Sequence, residues 1–239
     1  MFSQGKIQIF LLHFAGGSSY SYEFLKNDLK MEFEFYPLEL PGRGKRNDEK
    51  LLYQKEDTIY DYVGQIKSLR NNKPYIIYGH SMGATLGLSV TKKMEGYGDA
   101  PEALIVSGNP GPGIEREEKK RYLMEDAMFK EELRKLGGIP DEVLENDELY
   151  SFFGPIMRAD FRVLEEDDFL EKGLTVHTHI IALMGDEEEL VDHIENWNQY
   201  TTVDFSYQIF PGNHFFIYDA STQVLDIIKK SCNHLLVIR

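Results

Sequence analysis

Apolar residues in this chain fall into short unbroken runs, separated by segments where they recur every three or four positions. Residues 6–14, 33–38, 74–78, 102–107, 176–184 and 203–210 are runs of aliphatic, aromatic and β-branched residues of strand length. They read as buried strands. Residues 20–30, 57–69, 84–94, 190–200 and 222–235 read as helices; in 57–69 the apolar positions Ile59, Tyr60, Val63, Ile66 and Leu69 keep a helical period. Strands alternating with helices predict an α/β fold with a mostly parallel central sheet flanked by helices.

Residues 114–173 break the alternation. The breaker cluster Asn109-Pro110-Gly111-Pro112-Gly113 precedes them. The pattern is then helical and highly charged through residue 136, pauses at Gly137-Gly138-Ile139-Pro140, and continues as short helices to residue 168. This stretch reads as a helical lid over the sheet's C-terminal edge, inserted within a single domain spanning 1–239.

The sharpest chemical signal is Gly79-His80-Ser81-Met82-Gly83, set between a predicted strand and a predicted helix. A strand, a sharp turn and a helix are the context of a nucleophile elbow. The turn holds the serine in a strained conformation, and its hydroxyl stands at a helix N-terminus whose dipole favours negative charge. Serine attack on a carbonyl further needs a base and a group to orient it. In α/β hydrolases these follow in the order serine, acid, histidine, on loops after strands. Asp186 lies just past the strand ending at Met184, and His214 lies just past the strand ending at Phe210. Glu187, Glu188 and Glu189 are within reach, but read as helix N-terminal charges or a solvated face. His177 and His179 share one strand face without a third metal ligand in view, and read as packed strand residues. His80 reads as a support of the turn. Asp160, in the helical stretch, is away from any strand end and stays a candidate for a supporting contact behind the catalytic residues. An oxyanion hole needs two preorganised N–H groups. Met82, after the serine, is one expected donor; Phe14, with Ala15 next, is the other, on the glycine-rich loop His13-Phe14-Ala15-Gly16-Gly17.

Bulk composition narrows the classes. With 239 residues and 42% hydrophobic content, the chain is long enough for one substantial core. A net charge of −14 argues against binding a nucleic-acid backbone. The single cysteine, Cys232, precludes an internal disulfide and favours a reducing compartment. No run approaches the ~20 apolar residues of a membrane span, and the first residues do not read as a signal peptide. The expected location is cytoplasmic and the expected state monomeric.

Beyond the elbow, His13-Phe14-Ala15-Gly16-Gly17, Leu40-Pro41-Gly42-Arg43-Gly44, Leu136-Gly137-Gly138-Ile139-Pro140, Met157-Arg158-Ala159-Asp160-Phe161 and Gly212-Asn213-His214-Phe215-Phe216 resemble the motif blocks of the type II thioesterases of nonribosomal peptide and polyketide synthesis. The sequence is similar also to the medium-chain thioesterase of fatty acid synthase, and the resemblance covers nearly the whole chain. It departs at His13, where proline is common, and at Asn213, where glycine or aspartate is common. The resemblance implies an α/β-hydrolase fold, with Ser81, Asp186 and His214 as nucleophile, acid and base. It implies hydrolysis of acyl groups from the phosphopantetheine thiol of carrier proteins, with no metal or soluble cofactor. Carrier domains are usually acidic, so Arg116, Lys119, Lys120, Arg121, Arg158 and Arg162 are docking candidates, with a solvated helical face as the competing reading. An acyl-CoA thioesterase or small-molecule carboxylesterase would use the same triad; a non-catalytic binding module would not need it intact.

Overall fold

The computed structural model describes residues 6–114, 120–166 and 171–236, the side chains of 232–236 excepted. In chain order the elements are β1 (Ile7–Leu12), α1 (Glu23–Leu29), β2 (Phe33–Pro37), α2 (Lys55–Leu69), β3 (Tyr75–His80), α3 (Met82–Gly96), β4 (Ala103–Ser107), α4 (Asp126–Leu136), α5 (Asp141–Glu145), α6 (Asp147–Glu165), β5 (His179–Gly185), β6 (Phe205–Phe210), α7 (Phe216–Asp219) and α8 (Ser221–Leu236). The strands form one sheet in the order β2-β1-β3-β4-β5-β6. Every neighbouring pair is parallel, with Ile9 opposite Phe35 on one side and Ile76 on the other.

Alternate residues along each strand feed opposite faces, as the two-residue period of a strand requires. Phe10, Leu12, Ile77, Leu104, Val106, Ala182 and Met184 pack against Ile59, Tyr62, Val63 and Ile66 of α2 and Leu86, Val90 and Met94 of α3. Ile9, Leu11, Ile76, Tyr78, Ile105 and Leu183 pack against Leu25 and Leu29 of α1 and Val224, Leu225 and Ile228 of α8. Fully burying a Val, Leu, Ile, Phe or Met of this set contributes about 1.5–3 kcal/mol. Tyr60 and Leu69, counted in the helical period of α2, lie outside its buried stripe and are exposed.

Three segments differ from the expectation. Residues 190–200 form a ten-residue 3-10 helix, Val191–Tyr200, rather than an α-helix. Its side chains are committed to the breaker loop: Trp197 Nε1 donates to the Asn109 carbonyl at 2.7 Å, Asn196 Nδ2 to those of Pro110 and Pro112, and Tyr200 Oη to Pro112. The fifth strand begins at His179, with Val176 contributing one isolated bridge to Thr201. In the insertion, residues 121–123 form only a single 3-10 turn, whereas α6 is one helix of 19 residues with Pro155 inside it. Asn146 starts α6 by accepting the N–H groups of Glu148 and Leu149, both at 3.0 Å. The inserted helices hold a small core of their own, Phe129, Leu133, Leu144, Tyr150, Met157 and Phe161, with Ala15 packed against it. Arg116 and Lys119 lie outside the described residues, as does the side chain of Cys232.

Candidate active site

The sheet order reverses direction beside β1: the chain runs outward to β2, then returns to β3 and continues the other way. Loops diverge at such a switch point, leaving a crevice beyond the strands' carboxyl ends. Residues 13–17 leave β1 there, and Ser81 leaves β3 there.

Ser81 sits between strand and helix with φ 55° and ψ −111°, a left-handed conformation that a residue with a Cβ seldom adopts. Its surroundings enforce it. Ser81 N–H donates to the Ser107 carbonyl at 2.7 Å, and the N–H of Ala84 returns to the Ser81 carbonyl at 3.0 Å. The first turn of α3 is pressed onto the end of β1, so that a Cβ on Gly83 would overlap the Leu12 carbonyl oxygen. Only glycine permits that approach. His80, fully buried, meets Ser107 Oγ at 2.9 Å through Nδ1. Burial, with the neighbouring His214 adding to it, pushes its pKa well below the usual histidine range. A neutral His80 braces the turn, as expected.

His214 follows β6, and its ring lies 4.9 Å from that of His80, centroid to centroid. The structure therefore brings the expected base to the turn that carries the serine. The carboxylate that meets His214 is not the expected one. Glu188 Oε2, not Asp186, lies 2.8 Å from His214 Nδ1, and Glu188 Oε1 accepts the Gly185 N–H at 2.9 Å. Asp186 is exposed, and its Oδ1 accepts the Gly212 N–H at 2.8 Å. The reason lies in the turn after β5. Asp186 N–H bonds the Phe210 carbonyl and Glu187 N–H the Gly212 carbonyl, while Glu188 N–H closes back on the Gly185 carbonyl. Asp186 thus fastens the β6 loop, and the turn carries Glu188 round to the imidazole. By its sequence position Glu188 reads as a helix N-terminal charge or a solvated face; the next element is a 3-10 helix, Val191–Tyr200, and the turn is tied to a loop 26 residues away.

The N–H groups of Met82, Phe14 and Ala15 donate to no acceptor among the described residues. The loop bearing the last two is braced from behind by a buried bidentate pair. Arg43 Nη1 and Nη2 lie 2.6 and 2.7 Å from Asp160 Oδ2 and Oδ1, with Arg43 3% and Asp160 1% exposed. Asp160 Oδ2 also accepts the Gly16 N–H at 2.7 Å, and Arg43 Nη1 donates to the Gly17 carbonyl at 3.1 Å. Asp160 therefore ties α6 to the glycine-rich loop, the kind of supporting contact that its sequence position left open. His13 is buried in the same region, and burial with nearby Arg43 lowers its pKa to about 4.

His177 and His179 make separate contacts, to Thr202 Oγ1 at 2.9 Å and Ser206 Oγ at 3.3 Å. No cluster of three or more metal-ligating side chains occurs among the described residues. Of the expected docking cations, Arg121, Arg158 and Arg162 are each paired within the chain, with Glu165, Asp126 and Glu166, all at 2.7 Å.

A parallel sheet, a strained serine between the third strand and its helix, and a carboxylate-held histidine after the last strand define an α/β hydrolase. Within that class the chain belongs to the thioesterase domain family, which it matches over residues 7–232. It is 29% identical to the gramicidin S biosynthesis protein GrsT of Aneurinibacillus migulanus, over 98% of this chain and 92% of that protein. Among solved structures it is similar to ClbQ from the colibactin NRPS/PKS pathway, with TM-score 0.90 and 30% identity over 98% of this chain and 100% of that one. The type II thioesterase BorB from the borrelidin biosynthetic cluster gives TM-score 0.86 and 28% identity over 95% and 93%.

Proposed function

We propose that this chain is a type II thioesterase that hydrolyses acyl groups from the phosphopantetheine thiol of carrier proteins in a nonribosomal peptide or polyketide synthase, regenerating the free thiol. The observation that carries the reading is the strained Ser81 at the helix N-terminus, beside a His214 whose Nδ1 is held by a carboxylate. A carboxylate at Nδ1 fixes the tautomer that leaves the Nε2 lone pair free. His214 Nε2 takes the proton of Ser81 as Oγ attacks the thioester carbonyl. Met82 N–H and Phe14 N–H, with Ala15 N–H adjacent, stabilise the oxyanion. His214 then protonates the leaving thiol, and water attacks the acyl-enzyme with His214 again as base. Glu188 takes the orienting role expected of Asp186. The chemistry calls on no metal or soluble cofactor.

Residues 114–173 serve as the lid, and a long flexible phosphopantetheine arm suits a site reached beneath it. Exposed Lys120 with the partly exposed Arg121, Arg158 and Arg162 remains the candidate docking set, since surface ion pairs such as theirs hold weakly. No helix of the described residues is long and apolar enough to cross a membrane, and we place the enzyme in the cytoplasm with its synthase.

The test is hydrolysis of one short acyl group presented on a holo carrier protein, on CoA and as a nitrophenyl ester, with Ser81→Ala as control. The expected outcome is the highest kcat/KM on the carrier substrate and no turnover by the variant. Equal or faster turnover of the free ester would move the enzyme to the general esterases.

A further inference from the structure

We propose that the Phe215 ring is the gate of the acyl path and sets the length of acyl group that Ser81 accepts. The proposal rests on the thioesterase reading above. Phe215 follows the base directly, and its N–H is fixed by Asn213 Oδ1 at 2.8 Å. Its ring meets the rings around the nucleophile. It stands edge-on to Phe14 at 5.0 Å and 82°, to His214 at 5.2 Å and 83°, and lies 5.6 Å from His80. Phe14 carries a proposed oxyanion donor, so the ring borders the place where the acyl carbonyl must lie.

The opposite side of the ring rests on the insertion. Gly138, between α4 and α5 with φ +80°, lies so close that a Cβ there would overlap Phe215 Cζ and Cε2 and come within 2.7 Å of Cε1. The glycine is a seat for the ring, and any side chain would push the ring away. Gly138 is exposed and Phe215 half-buried, so this seam runs from the catalytic histidine to solvent.

The two walls flanking the site differ in how they are held. Met157 of α6 packs on Gly16, where a Cβ would lie 2.9 Å from Met157 Cγ. The buried Arg43–Asp160 pair pins that wall to the body of the enzyme. Phe215 meets Gly138 through van der Waals contact alone, with no hydrogen bond or ion pair between the two among the described residues. Turning the ring costs packing but breaks no polar bond. A short acyl group is accommodated with the ring in place, whereas a longer one requires it to swing off its seat.

The experiment measures kcat/KM for acyl-N-acetylcysteamine thioesters from acetyl to octanoyl, in the wild type, Phe215→Ala and Phe215→Leu. Phe215→Ala is expected to raise the octanoyl-to-acetyl ratio at least about tenfold, on the order of what a few methylenes in a pocket are worth. Phe215→Leu, which keeps an apolar contact with Gly138, should fall between. A uniform loss across chain lengths with an unchanged ratio overturns the proposal and leaves Phe215 as a packing contact. If the wild type hydrolyses none of these thioesters and none on a holo carrier, the thioesterase reading itself fails, and the gate with it.

Discussion

At the scale of single residues, two carboxylates two positions apart divide between them the contacts that the proposed chemistry needs. Asp186 holds the β6 loop through Gly212, while Glu188 holds the histidine. Replacing Glu188 by Gln removes the charge that stabilises the imidazolium and allows the wrong tautomer; kcat should fall about 10³–10⁴-fold. Asp186→Asn, which can still accept from Gly212, should cost no more than about tenfold. Steady-state turnover of an acetyl thioester, with the far-downfield proton resonance of His214 Nδ1–H, checks both, since that resonance should shift or vanish only in the Glu188 variant. A full loss in Asp186→Asn with an intact Glu188→Gln would reverse the assignment. Ser81 and His214 were legible because each lies just past a strand, a property of local sequence. Glu188 was not, because its direction is set by hydrogen bonds between two loops distant in the chain.

At the scale of elements, α6 joins the insertion to the glycine-rich loop after β1. Its face presents Tyr150, Met157 and Phe161 to the inserted core and Asp160 to Arg43. Removing one member of a buried ion pair leaves the other charge unpaired, at about 3–5 kcal/mol. Asp160→Ala should therefore lower the denaturation midpoint sharply, and chemical denaturation of the variant beside the wild type measures it; a change under about 1 kcal/mol would show that the pair contributes little. The strands could be read from unbroken apolar runs because both faces of the sheet are covered, and α2 from its helical period because it buries one stripe. The insertion was harder. Gly154-Pro155 argues locally for a break, yet the Asn146 cap and a continuous apolar face hold α6 as one helix. The 3-10 helix after β5 is likewise imposed by side chains anchored to a loop more than 80 residues earlier, which no local window contains.

At the scale of the whole molecule, buried neutral histidines make stability depend on pH. His13 has its pKa lowered to about 4 by burial and then by Arg43, and His80 is held well below the usual histidine range, also chiefly by burial. The unfolded chain binds these protons near pH 6.5, while the native state refuses them. Their contribution is thus present above about pH 6.5 and is lost as the pH falls toward 4, on the order of 2–3 kcal/mol for His13. Urea midpoints at pH 7 and pH 5 should differ less in His13→Leu than in the wild type, and an unchanged difference would remove His13 from the account. The arrangement of the charged anchors has a broader consequence. Arg43–Asp160 and Lys55–Glu171, the latter at 3.2 Å with Ser89 Oγ on the same carboxylate, fasten the two ends of the segment from Asp160 to Glu171. All four side chains are shielded from solvent, where mobile ions screen weakly. Ionic strength should therefore change little in the hold of Arg43 and Asp160 on the glycine-rich loop after β1. Any dependence of turnover on salt belongs to the outer surface, where the proposed carrier protein would dock.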